Sequence, residues 1–297
     1  MTGSVFVQSI GFGLVTASIL ALASVGFTLQ FGVSNILNLA YGDVMTACAF
    51  AGYAVNQVGG SIAESLAAGA GFGAVASVLL NRLVYRPFVR HGTKLFGMVV
   101  VSLAVGIIIQ NIVLAAYGAT FFSYSFPPGR QVHILGMIFD TFQLMIIGLA
   151  VAAMALVQLL LTRTRLGKAM RATAANPSLA RASGVSTERI VDLAWLISGA
   201  LCGLAGVVLV LNTSAFQSAT GSGFLVVIVA AAVLGGVGQP AGAMLASLVL
   251  GVITEVAAGF ISPSFKEVIA FGVLVVVLLF RPAGLFGQGS TVREVAA

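Results

Sequence analysis

Amide and carboxylate side chains set among long apolar runs carry the first chemical signal in this sequence. Gln30, Ser34, Asn35, Asn38, Tyr41, Asp43 and Thr46 fall in one short stretch. In hydrocarbon each such group must face a cavity or a partner, because burying it in lipid is costly. The run Asn38-Leu39-Ala40-Tyr41-Gly42-Asp43 interrupts an otherwise apolar helix. A broken helix exposes backbone N–H groups whose positive end suits an anionic group such as a substrate carboxylate. An ionised Asp43 would meet an ammonium. Capping of helix ends at the membrane interface accounts for the same residues, and both readings stand at this point. A second polar cluster, Asn212-Thr213-Ser214-Ala215-Phe216-Gln217, precedes the Gly-rich interruption Gly235-Gly236-Val237-Gly238-Gln239-Pro240-Ala241-Gly242. Two broken segments, one in each half, are what an internally duplicated transporter would show. Glu255 is the other acidic residue deep in an apolar run, and it reads as reaching toward an interface near Gly259.

Covalent chemistry finds no constellation. No Ser, Cys or Asp has a base placed beside it. Gly167-Lys168 is followed by Ala169, and Thr162 stands where a Walker A loop needs Gly, so ATP is not bound by that route. Gly69-x-Gly71-x-Gly73 misses the dinucleotide spacing and suits helix packing, as do Gly199-x-x-x-Gly203 and Gly238-x-x-x-Gly242. His91 and His133 fall in loops expected on opposite sides of a membrane, and Cys48 and Cys202 each sit alone in an apolar run. No catalytic residue, metal site, cofactor or disulfide framework is expected.

The elements that must hold these side chains follow from composition. Of 297 residues, 59% are hydrophobic and 7% charged, with a mean hydropathy of +1.11. Soluble domains carry about 25% charged residues, so this chain belongs in a bilayer. At roughly 20 apolar residues per span, candidate spans fall near 8–29, 40–57, 61–81, 95–117, 141–162, 190–211, 223–237, 242–260 and 267–281. The expectation is an all-α, polytopic transmembrane bundle of about eight or nine spans, with one or two broken or half helices. It forms a single transmembrane domain over residues 1–297. The segments 40–57 and 223–237 are the short or Gly-interrupted ones. The alternating pattern of a β-barrel is missing. Ala21-Leu22-Ala23 looks like a signal-peptidase site, but no Lys or Arg precedes the apolar stretch, so the segment reads as a retained first span.

The net charge of +6 reads as orientation, with no need for nucleic acid. Placing 82–94, 163–189 and the C-terminal tail in the cytoplasm puts 12 of the 14 Lys and Arg inside. With nine spans the N-terminus is then external, the C-terminus cytoplasmic, and Tyr117 to Asp140, with its Pro127-Pro128-Gly129 turn, external. The loop 163–189 has specific punctuation. Asn176-Pro177 reads as N-cap and first-turn proline, and Gly184 as the left-handed residue that stops the helix. Two helical turns are not stable alone in water. The element therefore either docks on a partner or is a basic connector held inside by its charge.

Several segments together resemble one family. Gly26-Phe27-Thr28-Leu29-Gln30-Phe31-Gly32-Val33 running into Asn38-Leu39-Ala40-Tyr41-Gly42-Asp43 is similar to the N-terminal signature of permease subunits of bacterial ABC importers for branched-chain amino acids. Arg163 to Pro177 with its continuation to Gly184, Leu234 to Ala243, and Phe280-Arg281-Pro282-Ala283-Gly284-Leu285-Phe286-Gly287 resemble it too. The length looks like the shorter of the two permease types. The resemblance implies a multi-pass protein of the bacterial inner membrane, with a related second permease, two ATP-binding subunits and an external solute-binding protein. It implies docking on the ATPase through Arg171, Asn176, Pro177, Leu179, Arg181 and Gly184. A substrate path through Gln30, Asn35, Asn38, Tyr41, Asp43, Asn212 and Gln217 is the companion expectation. Tyr41 departs from the His of many relatives. The competing expectation is a stand-alone secondary transporter or channel for a small polar solute, coupled to an ion through Asp43 or Glu255.

Overall fold

The computed structural model describes residues 2–284 apart from 127–128, 135, 263–264 and 282–283. The expected Pro127-Pro128 turn, Pro282 and Ala283, and everything beyond Gly284, including Arg293, lie outside the described residues. The elements run α1 (Thr2–Ser34), α2 (Tyr41–Gln57), α3 (Ile62–Leu80), a π turn (Asn81–Tyr85), α4 (Arg86–Arg90), α5 (Leu95–Tyr117), β1 (Gln131–Ile134), β2 (Met137–Asp140), α6 (Thr141–Arg163), α7 (Arg165–Ala175), α8 (Pro177–Ala182), α9 (Thr187–Thr213), α10 (Thr220–Gly235), α11 (Pro240–Phe260) and α12 (Lys266–Phe280). Among the described residues the fold is a helical bundle with one small antiparallel hairpin, which pairs Gln131 with Asp140 and Ile134 with Met137. That hairpin adds order to a stretch expected only as an external loop.

Among the described residues six rods are long and apolar enough to cross a bilayer: α1, α3 continued through α4, α5, α6, α9 and α11. The remaining candidate spans, α2, α10 and α12, have 17, 16 and 15 residues. At 1.5 Å per residue they reach about 22–26 Å, short of a roughly 30 Å hydrocarbon core. The third rod runs past the expected boundary near residue 81, because the π turn carries the helix on to Arg90.

Two central rods organise the rest. In α1 and α9, 72% of the most apolar stretch is buried, against 17% for α6. Helices apolar all round belong in such central positions. α1 lies along α11 as α9 lies along α3, α2 sits beside α3 and α5 as α10 sits beside α11 and α12, and α1 meets α9. The sets α1-α2-α3-α5 and α9-α10-α11-α12 therefore repeat one packing scheme. α1 starts where Gln8 binds the hairpin at Ile138, whereas α9 starts beside the arginines of α4. The two sets run in opposite directions, and this inverted duplication is what the two broken segments foreshadowed.

Small residues allow the close approach. A β-carbon on Gly73 would collide with the Gly199 carbonyl, and one on Gly203 with the Gly69 carbonyl. The Gly-x-x-x-Gly pairs of α3 and α9 thus face each other, as interfaces of small residues in membranes do. Gly42 and Gly221, in the first turns of α2 and α10, meet in the same reciprocal way.

Candidate functional site

The break after α1 builds the first candidate region. Asn35 takes a left-handed backbone (φ 53°), a conformation Asn tolerates, and the chain stays non-helical until Tyr41. Asn38 turns inward, where its Oδ1 accepts from the Tyr85 hydroxyl at 2.8 Å and from the Ala40 N–H at 3.2 Å. Tyr41 donates to the Ser198 carbonyl at 3.3 Å, while the Ser198 hydroxyl donates to Gln30 Oε1 at 3.2 Å. Gln30 and Tyr41 are thus gathered at Ser198 in the middle of α9, Asn38 is held by Tyr85, and all three are buried. Gln30 Nε2 and the Trp195 indole N–H, in the same interior, have no partner among the described residues.

Asp43 lies in the first turn of α2, almost fully buried, with Oδ1 unpartnered among the described residues and Oδ2 directed at Gly106 of α5. Thr46 ties the two halves, since its hydroxyl accepts from the Gly221 N–H at 2.8 Å. The first turns of α2 and α10 therefore converge, with Asp43 beside the junction. Asn35 is exposed at the turn, away from the buried group. Asn212 and Gln217 are half-buried in and after the end of α9, on the approach to α10. No described side-chain hydrogen bond joins either of them to the first cluster.

The end of the bundle bearing the hairpin is closed by aromatic packing that sequence reasoning missed. Phe122 and Phe216 form an isolated antiparallel bridge with N–H to O distances of 2.8 and 2.9 Å. Phe50, Tyr53, Tyr117 and Tyr124 pack around it. Tyr124 donates to the Ala49 carbonyl at 2.8 Å, and burial raises its phenol well above the usual range, so it stays a neutral donor. At this end Glu255 accepts from Lys266 at 2.6 Å and from Thr16 at 2.8 Å. That carboxylate is already occupied.

The opposite end carries the arginines. Arg82 binds Asp192 at 2.8 Å, and Arg86 and Arg90 share Glu188 at 2.5 and 3.1 Å. Asn81 adds a 2.8 Å bond to Asp192. The signal was present in the spacing: Arg82, Arg86 and Arg90 recur every four residues, as do Glu188 and Asp192, so each set lies along one helix face.

Beside them stands the short helix expected from its punctuation. Asn176 Oδ1 accepts from the Leu179 N–H at 3.0 Å, and Pro177 occupies the first helical position. Gly184 (φ 82°) ends α8, with bonds from the Gly184 N–H to the Arg181 carbonyl and from the Val185 N–H to the Ala180 carbonyl. This double closure is the Schellman arrangement. α7, which precedes it, is capped by Thr164 and anchored by Met170, buried against Leu29 and Ile190. Arg171 reaches back to the Leu161 carbonyl at the end of α6. The result is a rigid platform that holds Leu179 and Arg181 exposed. Cavities of about 390 and 370 Å³ flank α7 at this end, and Val33 lines both.

Among the described residues no group of His, Cys, Asp and Glu could hold a metal ion. Both cysteines are free and buried.

Comparison with known proteins places this geometry. Residues 9–278 match the family described as the permease component of branched-chain amino acid transport systems. The high-affinity branched-chain amino acid transport system permease protein BraD of Pseudomonas aeruginosa is 31% identical, over 95% of this chain and 96% of that protein. The corresponding protein LivH of Escherichia coli is 28% identical over the same shares. A ribose import permease, RbsC of Escherichia coli, is 28% identical over 82% of this chain and 75% of its own. Among solved structures, PsaBC from Streptococcus pneumoniae in complex with Fab superposes with a TM-score of 0.50 at 15% identity, covering 93% of this chain and 92% of that one.

Proposed function

Because the chain belongs to the family of permease components of branched-chain amino acid transport systems, we propose that it forms half of the membrane path of an ATP-driven importer for branched-chain or related amino acids. The other half is a related permease chain, and two ATP-binding subunits and an external solute-binding protein complete the assembly. The chain does no covalent chemistry of its own. It lies in the bacterial inner membrane with the arginine end and the C-terminus in the cytoplasm and the hairpin end outside, in keeping with the distribution of Lys and Arg. The segment 163–189 is its coupling element within a single membrane domain of residues 1–297. Arg171, Asn176, Pro177 and Gly184 shape that element, and Leu179 and Arg181 meet the ATPase.

The geometry of α8 is the observation that carries the coupling role. A two-turn helix capped at both ends and fixed through α7 to the central rods presents a leucine that is 64% exposed. Motion of a bound ATPase would pass through α7 into α1 and α9, whose inner ends pack on Met170. Those rods carry Gln30 and Asn212, and they flank the junction at Tyr41, Asp43 and Gln217, with Asn35 and Asn38 in the adjoining turn. These residues form the path, where Asp43 would meet an ammonium and the backbone N–H groups at the helix starts would meet a carboxylate.

The test is reconstitution. Vesicles holding the full assembly should take up radiolabelled leucine only with ATP and the solute-binding protein. Leu179→Ala with Arg181→Ala should leave insertion intact while ATP hydrolysis continues without uptake. Normal uptake by the double variant removes the docking role. Ion-gradient-driven uptake in vesicles holding this chain alone overturns the importer reading.

A further inference from the structure

The 390 Å³ cavity at the arginine end shares Pro177 and Arg181 with the residues that shape the coupling element, but its other lining residues have no role assigned so far. It lies behind α8, between that helix, α4 and the start of α9. Three guanidiniums, from Arg86, Arg90 and Arg181, face one carboxylate, Glu188, among its lining residues. Glu188 engages one terminal nitrogen of Arg86 and one of Arg90. Each guanidinium has five donors, so most of theirs are left over. The Thr173 hydroxyl, on a residue only 1% exposed, lines the same cavity and has no hydrogen-bond partner among the described residues. The rest of the wall is mixed: Ser34, Asn81 and Thr187 add polar groups, and Val33, Ile36, Val89 and Val191 give an apolar side at the ends of the rods.

A surplus of positive charge around an unanswered hydroxyl suits a compact anion with several acceptor oxygens. Guanidiniums pair with such groups through two parallel bonds. From these observations we infer that the cavity binds a phosphoryl group. Its apolar side, at the depth where the rods leave the membrane, favours the headgroup of an anionic phospholipid over free phosphate, as basic pockets between membrane helices do on the cytoplasmic side. A carboxylate of the ATPase fits less well, because the cavity opens behind α8, whereas Leu179 points away from it into solvent. The site rests on the orientation given above. Its occupant would brace α8 against α4 and α9 and so set how firmly the coupling element is held.

The full chain, purified and placed in nanodiscs of phosphatidylcholine with and without phosphatidylglycerol, tests this by lipid retention in native mass spectrometry and by thermal melting. A parallel titration uses inorganic phosphate at constant ionic strength. Phosphatidylglycerol should be retained and should raise the melting temperature. Arg90→Gln and Thr173→Val should each weaken retention, Arg90→Gln by about fivefold, the effect of one basic residue near an anionic surface. Arg82→Gln, which alters the Asp192 pair outside the cavity, should not. Stabilisation by inorganic phosphate alone, lost in the same two variants, supports the phosphoryl site with a soluble source. Equal behaviour of both lipids with no effect of phosphate overturns the proposal, as does an equal loss in Arg82→Gln. Loss of ATPase copurification in Arg90→Gln and Thr173→Val, without any lipid or phosphate effect, overturns it in favour of a protein occupant. None of these readouts involves transport, so failure here leaves the permease role standing, and failed transport leaves this site standing.

Discussion

At the scale of single residues, the sequence was most legible where one side chain satisfies a backbone group of its own neighbourhood. Asn176, Pro177 and Gly184 occupy the cap, first-turn and left-handed positions their types suggest. Asn176→Ala should therefore cost about 0.5–2 kcal/mol of local stability, the range for losing such a cap. Hydrogen exchange at the Leu179 amide should quicken roughly 2- to 30-fold, with α9 unchanged, since 1.4 kcal/mol is about a factor of ten. Unchanged exchange at Leu179 would show that the cap does not hold α8. Partners far away in sequence were not legible. Nothing local announces that Tyr85 donates to Asn38, that Ser198 joins Gln30 to Tyr41, or that Lys266 occupies Glu255. Those bonds depend on which rods become neighbours.

At the scale of elements, apolar runs located the rods, and small residues showed which faces come together. The glycines of α3 give a sharp contrast two residues apart. Gly73 lies against the Gly199 carbonyl, while a β-carbon on Gly71 would meet nothing within 4 Å. Gly73→Val should lower the melting temperature markedly, because overpacking against backbone costs about 1–3 kcal/mol or more. Gly71→Val should stay within about 0.5 kcal/mol of the parent, as for substitutions that touch nothing. Similar melting of the two variants would remove the α3 to α9 contact from this account. The boundaries and small elements were harder to read. The break after α1 rests on Asn35 adopting a left-handed backbone, about six residues past the expected end of the span. The hairpin's strands have four residues each, too few to show a two-residue period, and α7 was hidden inside a stretch read only as polar loop.

For the whole molecule, the inverted duplication was foreshadowed by two interrupted segments, but its axis became visible only where Gly42 meets Gly221. Orientation has a direct check. Val58, 85% exposed beyond α2, and Leu179, 64% exposed on α8, lie at opposite ends, and the native Cys48 and Cys202 are both 0% exposed. In intact cells a membrane-impermeant maleimide should label Val58→Cys and leave Leu179→Cys unlabelled until the cells are opened; the reverse pattern inverts the topology. The central position of α1 also bears on how the protein is made. It leaves the ribosome well before α9 and α11, the rods that enclose it. At about 5–20 residues per second, α1 waits on the order of tens of seconds with Ser24, Thr28 and Gln30 unprotected. Biogenesis thus needs something to shelter that nascent segment, whether the insertion machinery or a chaperone in the membrane, and a chain stalled before α11 would present those polar groups to quality-control proteases.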